Sequence, residues 1–247
     1  MTAAHTTGGP LPPLRAPRYL ALGDSYTIGE GVAPEGRWPV QLAHALRAEG
    51  VMLGDPQIVA ATGWTTDELA AALDAFDASN AFAGAASAAS HSPSEGEELA
   101  AEAAPAKAKG GWDFVSLLIG VNNQYRGRDA EDYREQFAGL LARAIGYAGG
   151  RAGRVLVLSI PDWGVTPYAA REGRDGAQVA RELDLYNAVA RETCDRHDVA
   201  FVDITTTSRD RGDEADMLAE DGLHPSTAMY ARWARLALPV ARRLLAQ

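Results

Sequence analysis

A chain of 247 residues, 47% hydrophobic and 23% charged, has material for one large domain or two small ones around a real core. Its net charge of −10 at pH 7 argues against a nucleic-acid partner, which a basic patch would attract. Cys194 is the sole cysteine, so no intrachain disulfide can form, and no apolar run approaches the roughly 18 residues of a membrane-spanning helix.

Residues 1–17 hold Pro10, Pro12, Pro13 and Pro17 and no apolar core region. They read as a disordered tail and not as a signal peptide, which makes a cytoplasmic location the default expectation. Order is expected from Arg18 onward, with residues 18–247 as a single domain. Tyr19 to Leu22 is a short apolar strand bounded by glycine, followed at once by Gly23-Asp24-Ser25 and by Gly29-Glu30-Gly31. Arg37 to Arg47 reads as a helix, with Pro39 in its first turn and Gly50 as its stop. Ile58 to Ala61 is a second strand, ending at Thr62-Gly63-Trp64. Thr66, Leu69, Leu73 and Phe76 then begin another helix.

From about residue 80 to 111 the chain is rich in Ala, Ser, Gly and Glu and nearly empty of large apolar residues. This stretch reads as a mobile insertion, with a lid as the second reading and a short helix over Glu95 to Ala104. Asp113 to Gly120 is a continuous apolar strand of the kind buried on both faces. A helix over Asp129 to Gly149, a strand over Arg154 to Ile160 and a loop over Pro161 to Tyr168 follow. A long helix spans Gln178 to His197, and the last strand spans Ala200 to Ile204. Ser226 caps a final helix through Met229, Trp233, Leu236 and Val240. Strands alternating with helices predict an α/β fold: a five-stranded parallel sheet with helices on both faces, a flavodoxin-like three-layer sandwich in order 2-1-3-4-5.

In such sheets chemistry sits past the carboxyl ends of the strands, which is where Ser25 falls. A serine needs a base and an anion-stabilising pocket. Of the five histidines, His5 lies in the tail, His91 in the insertion, and His44 and His197 in helices. His224 instead follows a loop, in Asp221-Gly-Leu-His-Pro225, with an acid three residues before it. A carboxylate on one ring nitrogen fixes the tautomer and stabilises the imidazolium formed when the other takes a proton. The alternative is a turn in which Asp221 only caps amides. Paired with Ser25, the motif favours catalysis. Gly63 after the second strand and Gly120-Val-Asn122-Asn123 after the third reach the same sheet edge, as backbone and side-chain donors or as ordinary turn residues.

Gly23-Asp24-Ser25, Gly63, Gly120-x-Asn122 and Asp221-x-x-His224 resemble, in order, the four blocks of the SGNH hydrolases, also called GDSL esterases/lipases. The resemblance spans residues 18 to about 240. It implies the flavodoxin-like fold and ester hydrolysis through an acyl-enzyme without metal or cofactor. By position, Ser25 resembles the nucleophile, His224 the general base and Asp221 its orienting acid. The N–H groups of Ser25 and Gly63 and the Asn122 amide resemble the oxyanion hole. Many members carry Asp after the block asparagine, where this chain has Asn123, and the first block ends in Tyr26 in place of Leu. Asp24 reads as the holder of the nucleophile turn. Glu30, Asn123, Tyr125, Arg126 and Trp163 are candidate substrate contacts.

No serine stands in Gly-x-Ser-x-Gly, Pro34 blocks a dinucleotide loop after Gly29, and Walker, His-Glu-x-x-His and Cys-x-x-Cys motifs are absent. The expectation is a serine esterase acting on small or lipid-like carboxylic esters. A carbohydrate O-deacetylase or acyl-thioesterase on the same site is the alternative. Readings of another class are a non-catalytic binding module of the same fold and a flavodoxin-like cofactor carrier. The partner expected is a small-molecule ester; the oligomeric state is open.

Overall fold

The computed structural model describes residues 16–89 and 111–246. His5, His91, most of the expected tail and the expected helix over Glu95 to Ala104 lie outside the described residues. Five strands, β1 (Tyr19–Gly23), β2 (Pro56–Ala60), β3 (Phe114–Leu118), β4 (Val155–Leu158) and β5 (Ala200–Val202), pair in parallel in the order β2-β1-β3-β4-β5. Every residue of β1, β3 and β4 is buried, as continuous apolar runs in a two-sided sheet require. The edge strand β2 is half-buried throughout apart from the exposed Gln57.

The major helices are α2 (Trp38–Ala48), α3 (Thr66–Ala89), α5 (Ala130–Tyr147), α7 (Gly176–Arg196) and α9 (Thr227–Leu245). The short ones are α1 (Ser25–Ile28), α4 (Val121–Tyr125), α6 (Pro167–Arg171) and α8 (Thr205–Arg211). One helical layer pairs α2 with α9; in the other, α5 packs against both α3 and α7. The stripes read from the sequence supply the contacts. Leu42 and Leu46 of α2, Leu69 and Leu73 of α3, Tyr133, Phe137, Leu140 and Leu141 of α5, and Trp233 of α9 are all buried. Asp129, Asp175 and Ser226 cap the helices that follow them.

Three expectations need correction. Helix α3 runs on to Ala89, into the stretch read as an insertion from about residue 80, because a run of alanines sustains a helix without an apolar stripe. Leu236 is exposed, and α9 buries Tyr230, Ala234, Ala237 and Ala241 beside Met229 and Trp233 instead. The segment from Pro161 to Tyr168 is not all loop, since Pro167 opens α6.

The chain leaves β1 for β2 on one side and then crosses to β3 on the other. The carboxyl ends of β1, β2 and β3 are therefore adjacent, and the crevice between them is the switch point at which doubly wound sheets bind ligands.

Candidate active site

Gly23, the last residue of β1, cannot carry a side chain. A Cβ there would sit 2.2 Å from Thr27 Oγ1 and 2.3 Å from the Leu118 carbonyl oxygen. Asp24 turns the chain into α1, its Oδ1 accepting the Tyr26 N–H at 3.0 Å. Ser25 thus opens α1 at the sheet edge, 4% exposed, and its own N–H is one of the first-turn donors that no helical carbonyl reaches. Asp24 is fully buried beneath that turn, and burial pushes its carboxyl up to about 7 against the pull of the Tyr26 and Gly120 amides.

Asp221 and His224 form one compact turn. Asp221 Oδ1 accepts the N–H groups of Leu223 at 2.8 Å and His224 at 2.9 Å, while Oδ2 lies 2.6 Å from His224 Nδ1. Both earlier readings of Asp221, amide cap and histidine partner, are therefore realised together. A carboxylate at Nδ1 holds the proton there and leaves Nε2 as the acceptor. Burial raises the Asp221 carboxyl, but the His224 hydrogen bond and the two amides outweigh it and leave it below the ordinary value. Helix α6 seats the turn from outside: the Tyr168 N–H donates to the Gly222 carbonyl at 3.1 Å and Arg171 Nη2 to the Asp221 carbonyl at 2.6 Å. The Tyr26 ring meets the imidazole edge-on at 5.9 Å between centroids.

Ser25, Gly63, Asn122 and His224 line one open cavity of about 600 Å³ including its mouth. No hydrogen bond joins the Ser25 hydroxyl to His224 among the described residues; such bonds in unliganded sites often close only around substrate. Asn122 Nδ2 donates to the Trp64 carbonyl at 2.9 Å, which fixes the amide plane and leaves a second N–H to offer. Tyr125, Trp163 and Tyr168 form an aromatic wall, with Tyr125 and Trp163 centroids 5.4 Å apart and the two tyrosine hydroxyls 3.5 Å apart. Trp163 is held rigidly, its Nε1 donating to Gln124 Oε1 at 2.8 Å.

Three of the candidate contacts lie elsewhere. Asn123 is fully buried and caps α3, accepting the Thr66 N–H at 3.0 Å and donating to Thr66 Oγ1 at 2.6 Å; it is not among the residues that line the cavity. Glu30 is exposed and accepts the Thr62 hydroxyl, so Thr62 and not Glu30 meets the cavity. Arg126 bonds the Gly63 carbonyl and pairs with Glu68 outside the lining. Tyr26, Thr62, Tyr168 and Leu223 line the cavity without having been singled out in the sequence. For Tyr168 a signal existed: Thr166-Pro167 is a cap followed by proline at the first helical position, and Thr166 Oγ1 accepts the Ala169 N–H at 3.3 Å.

A parallel sheet of this order, with a serine, an Asp–His pair and amide donors at its switch point, belongs to the α/β ester hydrolases. The chain is a member of the GDSL-like lipase/acylhydrolase family, whose model matches residues 21–232, and as such is a hydrolase acting on ester bonds. No curated protein matches its sequence. Among solved structures it is similar to TesA, at 18% identity and TM-score 0.62 over 92% of this chain and 99% of that one. A lipase/acylhydrolase from Enterococcus faecalis shares 17% identity and TM-score 0.60 over 92% and 96%. An acetyl xylan esterase from Geobacillus stearothermophilus shares 19% and 0.58 over 91% and 94%. These likenesses bear on the fold. No helix among the described residues is long and apolar enough to cross a membrane.

Proposed function

We propose that the protein hydrolyses small carboxylic esters through an acyl-enzyme formed on Ser25. His224 Nε2 takes the hydroxyl proton as Ser25 Oγ bonds to the ester carbonyl carbon. The negative charge that develops on the carbonyl oxygen is met by the Ser25 and Gly63 N–H groups and the Asn122 amide. Collapse of the tetrahedral species breaks the bond to the leaving alkoxide, which takes the proton from His224. A water deprotonated by His224 then attacks the acyl carbon, and Ser25 departs with the proton. Asp221 holds the imidazole in the orientation both half-reactions need.

The observation that carries this reading is the 2.6 Å contact of Asp221 Oδ2 with His224 Nδ1 on the wall of the cavity that also contains Ser25. A binding module has no use for an oriented base beside a hydroxyl. Ser25→Ala should abolish turnover of an aryl acetate, and a fluorophosphonate should label wild type at Ser25 alone; a variant that keeps wild-type turnover sinks the mechanism. The wall of Tyr125, Trp163 and Tyr168 suits the face of a sugar ring, which favours carbohydrate O-deacetylation as a second reading. A panel of aryl esters of rising chain length, set against an acetylated oligosaccharide, separates the two.

A further inference from the structure

The β2–α3 connection presents Gly63 in a tight turn. The Trp64 N–H closes back on the Ala61 carbonyl at 3.3 Å, and Gly63 at the third position has φ +85°, the backbone of a type II turn. Among the described residues its N–H has no backbone partner, and its residue lines the cavity. Glycine reaches this conformation freely, but it reaches others as freely. A donor that must be in place before charge develops therefore needs a restraint from outside the turn.

That restraint comes from the helix that carries Asn122. Arg126, one turn further along at its C-cap, donates from Nη2 to the Gly63 carbonyl at 2.8 Å and pairs through Nη1 with Glu68 at 3.2 Å. Glu68 in turn accepts the Thr65 N–H at 2.8 Å. The peptide between Gly63 and Trp64 is thus gripped at both ends, its N–H by Ala61 and its oxygen by a guanidinium. Two donors one turn apart, Asn122 of α4 and Arg126 at its C-cap, hold successive carbonyls of the turn, those of Trp64 and Gly63.

We propose that Arg126 is a positioning residue for ester hydrolysis: by fixing the Gly63–Trp64 peptide it keeps the Gly63 N–H aimed at the developing oxyanion. The role rests on the serine-esterase reading above. Arg126 is not among the residues that line the cavity. Its loss leaves the cavity walls intact but lets the turn relax, so it acts on the transition state and not on binding.

The test uses the full chain, an aryl acetate and a fluorophosphonate. Removing one oxyanion donor outright costs about 10²–10³ in kcat, so a displaced one in Arg126→Met should cost about tenfold in kcat, with KM within about twofold and the rate of phosphonate labelling reduced in step. Arg126→Lys, which keeps the charge and a single donor, should fall between wild type and Met, and it carries the test if the Met variant does not fold. Glu68→Gln removes the ion pair but leaves the contact to Gly63, and should lose less than Arg126→Met. An unchanged kcat in both Arg126 variants, or a loss in Glu68→Gln as large as in Arg126→Met, overturns the proposal while leaving the esterase reading standing. A wild-type protein whose Ser25 resists the phosphonate overturns both.

Discussion

Two carboxylates belong to the site, and their surroundings drive them in opposite directions. Asp221 sits where the imidazole and two amides favour its anion, so it stays ionised to below the ordinary carboxylate range, and its hold on His224 is lost only as pH falls through that lowered value. Asp24 is fully buried, its Oδ2 has no hydrogen-bond partner among the described residues, and its carboxyl is raised from 3.8 to about 7. The folded protein therefore binds a proton at Asp24 that the unfolded chain has already released between those two values. Stability must fall as pH rises from about 4 to about 7 on this account, at about 1.4 kcal/mol per unit at most. Asp24→Asn keeps an acceptor for the Tyr26 N–H and carries no charge. Melting curves of wild type and variant at pH 5 and pH 8 should show the variant gaining relative to wild type at the higher pH; a constant difference would refute the buried charge. Asp24, though adjacent to Ser25, holds the Tyr26 N–H of the nucleophile turn, and the carboxylate on His224 Nδ1 is that of Asp221, nearly the whole chain away.

The short helix α4 joins the site to the scaffold. Asn122 and, at its C-cap, Arg126 hold the carbonyls of the β2–α3 turn, while Asn123 caps α3 just beyond it at Thr66. An asparagine suits that buried position because it accepts from the Thr66 N–H and donates to the Thr66 hydroxyl at once, a pairing an ionised aspartate could not make. Asn123→Ala strands a buried donor and should cost about 1–3 kcal/mol, measured by urea unfolding; a midpoint within error of wild type would deny the cap. What the sequence made legible follows the length of each signal. Long apolar stripes and continuous strands placed the sheet and the major helices, and Asp129, Asp175 and Ser226 stand at their caps. Helices α4, α6 and α8, of five to seven residues, are too short for a 3.6-residue period to show. The contacts of Asn123, Glu30 and Arg126 depend on which way each side chain leaves a short helix or the turn beside one, which spacing alone does not encode.

The site as a whole is a product of the sheet. Its parts follow β1, β2 and β3 and precede α9, so residues 25 to 224 must all be in register for one serine to face one histidine. The layer behind it is the α2–α9 pair, where Trp233 is fully buried and stacks edge-on against Tyr26 and Tyr230 at 5.8 Å and 5.1 Å. Tyr26 also abuts the imidazole, so the core of the helical layer reaches His224 through a single ring. Trp233→Ala removes a large buried aromatic and should cost about 3–5 kcal/mol. Because the site draws on the sheet and on the helices packed against it, ester hydrolysis and far-ultraviolet circular dichroism should be lost together along a urea gradient, in wild type and at the lower midpoint of the variant alike. Activity vanishing well before the helical signal would show instead that the crevice opens as a unit of its own, with α9 and the Asp221–His224 turn parting from the sheet ahead of global unfolding.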